Sequence, residues 1–215
     1  MKSVKNPEDR RNEILDAADE LFAQKGFDNA TTNDILERVG IARGTLYYHF
    51  KSKEDIMDAL IARYSDRMLH AANAVGNDER IPVHERIVRV IMALNIQGDS
   101  GKEIIHHIHK PQNALMQQKM RKTVINGVTP ILTKVIGQGV AQGLFNTPYP
   151  YECMEMVVIY AHTVFDGDTV ELTDETRMER ILAFVFHLER LLGVKNGSLK
   201  YVLNLFGEDL TDDKQ

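Results

Sequence analysis

Apolar residues return every three or four positions along nearly the whole chain, and the breaks in that rhythm fall at glycines, prolines and capping hydroxyls. Ile14, Ala18, Leu21 and Phe22 share one face, which predicts an amphipathic helix over residues 9–25, stopped by Gly26. Thr31-Thr-Asn-Asp34 sets a capping hydroxyl three residues ahead of a carboxylate and opens a two-turn helix that ends at Gly40. A short connection leads into a third helix over about 43–50, a spacing that fits a helix-turn-helix. Ser52-Lys-Glu-Asp55 is a second capping box, starting a long helix with Ile56, Leu60, Tyr64 and Met68 down one side.

The helical period continues past Gly76-Asn77, with segments expected near 82–97, 101–109, 112–143, 150–166 and 174–193 and a short helix between Leu199 and Phe206. No strand-like alternation competes, so the expected fold class is all-α. Pro130 either kinks the 112–143 segment or divides it in two with Thr129 as a cap. The segments 150–166 and 174–193 are apolar on more than one side: Met154, Val157, Val158, Ala161 and Phe165 in the first, and Ile181, Leu182, Val185, Leu188 and Leu192 in the second. Helices apolar all round are buried all round, which predicts a twofold four-helix interface between two copies; a deep monomeric core is the competing reading.

Composition narrows the setting. A chain of 215 residues, 43% hydrophobic and 27% charged, is large enough for two units. It has no apolar run near the roughly 20 residues that span a bilayer and no leader-like opening, so a cytoplasmic protein without membrane contact is expected. The single cysteine, Cys153, excludes an intramolecular disulfide and reads as a small buried hydrophobe. The net charge of −5 argues against coating nucleic acid by bulk charge. The charge is unevenly placed, however: residues 8–37 hold nine acidic and three basic side chains, whereas residues 38–53 hold four basic ones, Arg38, Arg43, Lys51 and Lys53, and no acid. A local positive strip suits docking on particular phosphates.

The third helix concentrates Arg43, Thr45, Tyr47, Tyr48 and His49 on one short segment, side chains able to bond phosphates or base edges, while Leu46 and Phe50 are expected in the core. Thr31-Thr-Asn-Asp-Ile-Leu-Glu-Arg-Val-Gly-Ile-Ala-Arg-Gly-Thr-Leu-Tyr-Tyr-His-Phe-Lys-Ser-Lys-Glu-Asp-Ile56 closely resembles the DNA-binding signature of the TetR family of bacterial transcriptional regulators, over about residues 10–60. The resemblance implies an N-terminal three-helix DNA-binding domain at 1–52. It further implies a C-terminal helical domain at 53–215 that binds a small-molecule effector and dimerises through its last two long helices. It places Thr32 on a phosphate, Arg43, Thr45, Tyr47, Tyr48 and His49 on the recognition face, and Lys53 on the DNA backbone. Ala42 stands where a capping Ser is common in the family, which predicts a loosely started recognition helix. The implied protein is a homodimeric repressor on a near-palindromic double-stranded operator, its two recognition helices about 34 Å apart.

The effector side is less sharply drawn. His106 and His109 lie three apart, a spacing able to chelate a metal or flank a haem, with His162 as a further ligand, but a helix-end or pocket-lining role is the stronger reading, and no cofactor is expected. Asn113, Met116, Met120, Tyr160 and Phe165 make a mostly apolar set suited to a hydrophobic or amphipathic effector. Two rival functions stand beside repression: a DNA-binding dimer acting through a protein partner or as an activator, and a helical metal- or haem-binding enzyme. The chain has no nucleophile elbow, phosphate loop or His-Glu-x-x-His to favour catalysis.

Overall fold

The structure, a computed structural model, describes residues 6–94, 113–165 and 172–206. They form α1 (Pro7–Lys25), α2 (Thr32–Val39), α3 (Arg43–His49), α4 (Lys53–Asn77), α5 (Val83–Leu94), α6 (Ala114–Ala141), α7 (Pro150–Val164), α8 (Asp174–Leu191) and a 3₁₀ helix at Lys200–Phe206, with no strand among the described residues. The helix expected at 101–109 lies outside them. The fold is all-α, as the periodicity predicts.

The chain divides into two compact units, residues 1–67 with 96–123 and residues 68–95 with 124–215. In the first, α1 is started by the Asn6 side chain, which accepts from the Glu8 N–H, and by Pro7 in the first turn, two residues earlier than the apolar period sets it. Ile14, Ala18, Leu21 and Phe22 from α1 meet Ile35 from α2, Leu46 from α3, Phe50, and Ile56, Met57 and Leu60 from α4. Met116, near the start of α6, completes this core. The boundary drawn at residue 52 therefore falls inside this unit, because the first turns of α4 carry part of its core.

In the second unit, Ala72 from α4, Val90 from α5, Leu132, Val135 and Ile136 from α6, Met154 from α7 and Ile181, Val185 and Leu188 from α8 close around one core. A single helix, α6, runs through Pro130. Proline withdraws one backbone donor there. Thr129 is no cap: its hydroxyl donates to the Ile125 carbonyl (2.8 Å) and the Thr133 hydroxyl to the Thr129 carbonyl (2.8 Å), side-chain bonds within the same turns. The buried carboxylate of Glu189 on α8 accepts from the Gly197 N–H (2.9 Å) and the Leu199 N–H (2.8 Å), tying the chain after α8 back onto the unit. Val202 and Leu203 of the 3₁₀ helix then join the core.

Candidate nucleic-acid interface

Two short helices and the turns around them position the exposed side chains. Thr31 caps α2 in a reciprocal box: its hydroxyl accepts from the Asp34 N–H (3.1 Å), and the Asp34 carboxylate accepts from the Thr31 N–H (2.8 Å). Lys25 at the end of α1 donates to the same carboxylate (2.8 Å). The Lys25 ammonium, followed by the two Thr31 bonds, lowers the Asp34 pKa from its ordinary 3.8 to about 2. Gly40 ends α2 in the left-handed region (φ 69°), a conformation costly for a side chain with a Cβ, and so lets the chain turn into α3.

Ala42 precedes α3 without a side-chain cap, so α3 is held chiefly by its buried residues, Leu46 and the following Phe50. The opposite face is open: Arg43 is exposed, Tyr47 47% and Tyr48 76% exposed, and Thr45 and His49 half-buried beside them. The His49 ring stands edge-on to Tyr48 at 4.9 Å. Thr32, in the first turn of α2, is half-buried. Asn33 is a residue the sequence pattern does not single out: its Oδ1 accepts from Arg43 Nη2 (3.0 Å) and tethers the guanidinium to α2. A local signal existed, since Thr31 and Asp34 already cap the helix and leave the Asn33 amide for another task.

The positive strip is thinner in three dimensions than in sequence. Arg38 pairs with Glu20 on α1 (2.8 Å). Lys53 turns inward, its ammonium donating to the Phe27 carbonyl (2.6 Å) and the Ala30 carbonyl (2.9 Å), with the Asp28 carbonyl at 3.4 Å and the Phe27 ring centroid at 4.3 Å. The resemblance places Lys53 on the DNA backbone; in this structure its half-buried ammonium rests on these three carbonyls and the ring face. Arg43 and Lys51 remain as exposed cations of the strip.

The described residues of the expected effector set are drawn from both units. Tyr160 and Phe165 belong to the second unit, in an aromatic cluster where Tyr160 stacks on Phe184 (5.7 Å, 10°) and Phe165 meets Phe184 and Phe206 edge-on at 5.6 and 4.9 Å. His162 is half-buried on α7. Met116 and Met120 pack in the core of the first unit, where the buried Asn113 accepts from the Phe27 N–H (2.8 Å). Spacing along the chain did not show that α6 begins in one unit and ends in the other. His106 and His109 lie outside the described residues; among those described, no group of three or more metal-ligating side chains could hold an ion.

Residues 14–60 match the model of the bacterial regulatory proteins of the tetR family, and residues 97–186 match a tetracyclin repressor-like C-terminal domain. The chain belongs to the TetR family. Among curated relatives, this TetR-family chain is 27% identical over 135 residues to the fatty acid metabolism regulator protein of Bacillus subtilis, covering 61% of the chain and 68% of the relative. It is 29% identical over 145 residues to the HTH-type transcriptional repressor KstR2 of Mycobacterium tuberculosis, covering 63% and 69%. A TetR/AcrR-family transcriptional regulator from Thermobifida fusca shares the fold with a TM-score of 0.56 at 25% identity, over 88% of this chain and 98% of that one. The family consists of regulatory DNA-binding proteins rather than enzymes. Among the described residues no helix is long and apolar enough to cross a membrane.

Proposed function

We propose that this TetR-family chain is a ligand-responsive transcriptional repressor that binds a near-palindromic operator as a homodimer. The observation that carries the reading is the open face of α3, where Arg43, Tyr47 and Tyr48 stand exposed over a fully buried Leu46 and Phe50. A short helix anchored on one side and bearing a fork donor and two phenols on the other fits a major groove. Thr32 and the N-terminal N–H groups of α2 meet phosphate, Arg43 reads guanine while Asn33 steadies it, and Tyr47, Tyr48, Thr45 and His49 fill the groove.

Dimerisation is supported by α7 and α8. Within one chain Met156 and Ile159 on α7 and Leu182 and Phe186 on α8 are each between 43% and 59% exposed, a large apolar surface that a second copy would cover. The effector belongs to the second unit, near Tyr160, His162 and Phe165, and is hydrophobic or amphipathic; the B. subtilis relative's name, which concerns fatty acid metabolism, agrees with an acyl chain. Ligand binding acts by favouring a form of the dimer whose recognition helices miss successive major grooves, which needs a differential affinity of only a few kcal/mol. Such a regulator works in the cytoplasm, where the chromosome is.

Selection of bound fragments from a random duplex library, followed by footprinting, tests the reading. A protected inverted repeat with half-site centres about one turn apart, roughly 34 Å, is expected. Protection of a single half-site, or sequence-indifferent binding, would overturn the dimeric repressor.

A further inference from the structure

Two faces of α8 are apolar, and only one is used within the chain. Ile181, Val185 and Leu188 enter the core, while Leu182 (51% exposed), Ala183 and Phe186 (43% exposed) look outward. At 3.6 residues per turn, Glu175, Glu179 and Arg190 fall on the same arc as that outward trio, a strip about 100° wide. All three charges are exposed, and among the described residues none of them forms an ion pair within its chain. The Arg190 guanidinium is drawn back along the strip and lies over the Phe186 ring, 5.0 Å from its centroid. The strip therefore runs from acid through an apolar centre to base, and its spacing is symmetric. Glu175 stands seven residues before Leu182 and Arg190 seven after Ala183, each about 11 Å from the point midway between those two.

We infer that this strip pairs antiparallel with the same strip of a second copy, about the midpoint of Leu182 and Ala183, and that its flanking charges make the chain choose its own copy over related chains. The inference rests on the dimeric reading of α7 and α8 and deepens it by naming what fixes register and partner choice. Apolar surface alone discriminates poorly among apolar partners. Turning one strip end for end onto its copy sets Glu175 against the partner's Arg190, and Arg190 against the partner's Glu175. Because Arg190 leans over Phe186, it also comes within reach of the partner's Glu179. A parallel arrangement would set acid on acid and base on base, an unfavourable pairing at both ends. On α7 the exposed acids Glu152 and Glu155 both lie in the first two turns, so antiparallel copies hold them at opposite ends of the interface. Exposed ion pairs add little to stability, but a like pair in place of each decides which partner wins.

The test mixes full-length chains and counts dimers by native mass spectrometry at low ionic strength, where surface charge is least screened. Three chains are used, each first shown folded by circular dichroism: wild type, Arg190→Glu, and the swap Glu175→Lys/Glu179→Lys/Arg190→Glu. Every substituted position is exposed, so the fold is expected to persist. Arg190→Glu should dimerise at least about tenfold more weakly than wild type, with acid now facing acid. The swap should return to within about threefold of wild type, which separates charge from the contact with Phe186 that both variants lose. Wild type mixed with the swap should sort into two homodimers, with mixed dimers below about one in ten where random association gives one in two. Unchanged dimerisation of Arg190→Glu, or random proportions in the mixture, would overturn the inference; an excess of mixed dimers would do so by showing parallel helices. Phe186→Glu keeps the failures apart. A dimer that it leaves intact lacks this interface altogether, which sinks both readings, whereas a dimer that it dissociates but that mixes at random has the interface without the charge code.

Discussion

Tyr47 and Asp34 show how differently single residues bear on operator binding. Tyr47 is half exposed on α3 and contributes little to the core, so Tyr47→Ala should leave the melting temperature near wild type while weakening operator binding by about 1–3 kcal/mol per half-site, the scale of a base contact. Gel-shift titration with a thermal melt of the same sample checks it; equal affinities would remove Tyr47 from the interface. Asp34 works through the backbone. Its folded pKa, about 2, lies below the ordinary 3.8, so the carboxylate favours the folded state at pH above about 4, and that contribution is lost as pH falls toward 2. Because the group is exposed, salt weakens the effect. A carboxyl NMR titration should place Asp34 near 2 in the wild type and closer to 3.8 in Lys25→Met, since Lys25 is the largest single cause of the shift.

At the scale of elements, the sequence showed most where the chemistry is local. Thr31 with Asp34, Gly26 and Gly40 bound α1 and α2 through neighbours three or four residues away, and the residue pattern carries that distance. Of the capping box read at Ser52-Lys-Glu-Asp55 only half forms: the Ser52 hydroxyl accepts from the Asp55 N–H at 3.1 Å, whereas the Asp55 carboxylate accepts from the Lys51 N–H. The bonds of Lys53 within the chain were not legible because its acceptors are backbone carbonyls 23 to 26 residues earlier, and carbonyls carry no residue signature. Asn113 escaped for the same reason, its partner being a backbone N–H 86 residues away. Pro130 stayed open because proline argues only against a straight ladder, and the hydroxyls of Thr129 and Thr133 bond the surrounding carbonyls. The exposed face of α7 and α8 was legible as surplus apolar surface. Phe186→Glu should leave the single chain folded, since Phe186 is already 43% exposed, and raise the dimer dissociation constant at least about thirtyfold if it is an interface anchor of about 2 kcal/mol or more. Sedimentation equilibrium measures this, and an unchanged dimer would move the interface elsewhere.

For the molecule as a whole, α4 and α6 decide what counts as a part. Each supplies one core at its beginning and the other further along: Ile56, Met57 and Leu60 then Ala72 in α4, Met116 then Val128 in α6. A fragment of residues 1–52 lacks Ile56, Met57, Leu60 and Met116 and leaves Leu46 and Phe50 without their cover, so it should show weak helicity and no cooperative melt by circular dichroism. A sharp transition in that fragment would mean that the first three helices suffice. The sharing of helices also governs how new specificities arise by exchange between relatives. A chimera cut at the end of α3 would join a foreign recognition helix to a floor it did not evolve with, at Met57, at Leu60 and above all at Met116, which lies far along the chain. Grafting only the outward side chains of α3 onto this chain preserves the whole of that floor. Operator preference in such a protein is therefore free to drift one surface residue at a time, whereas whole reading heads do not change hands without the opening turns of α4 and α6 travelling with them.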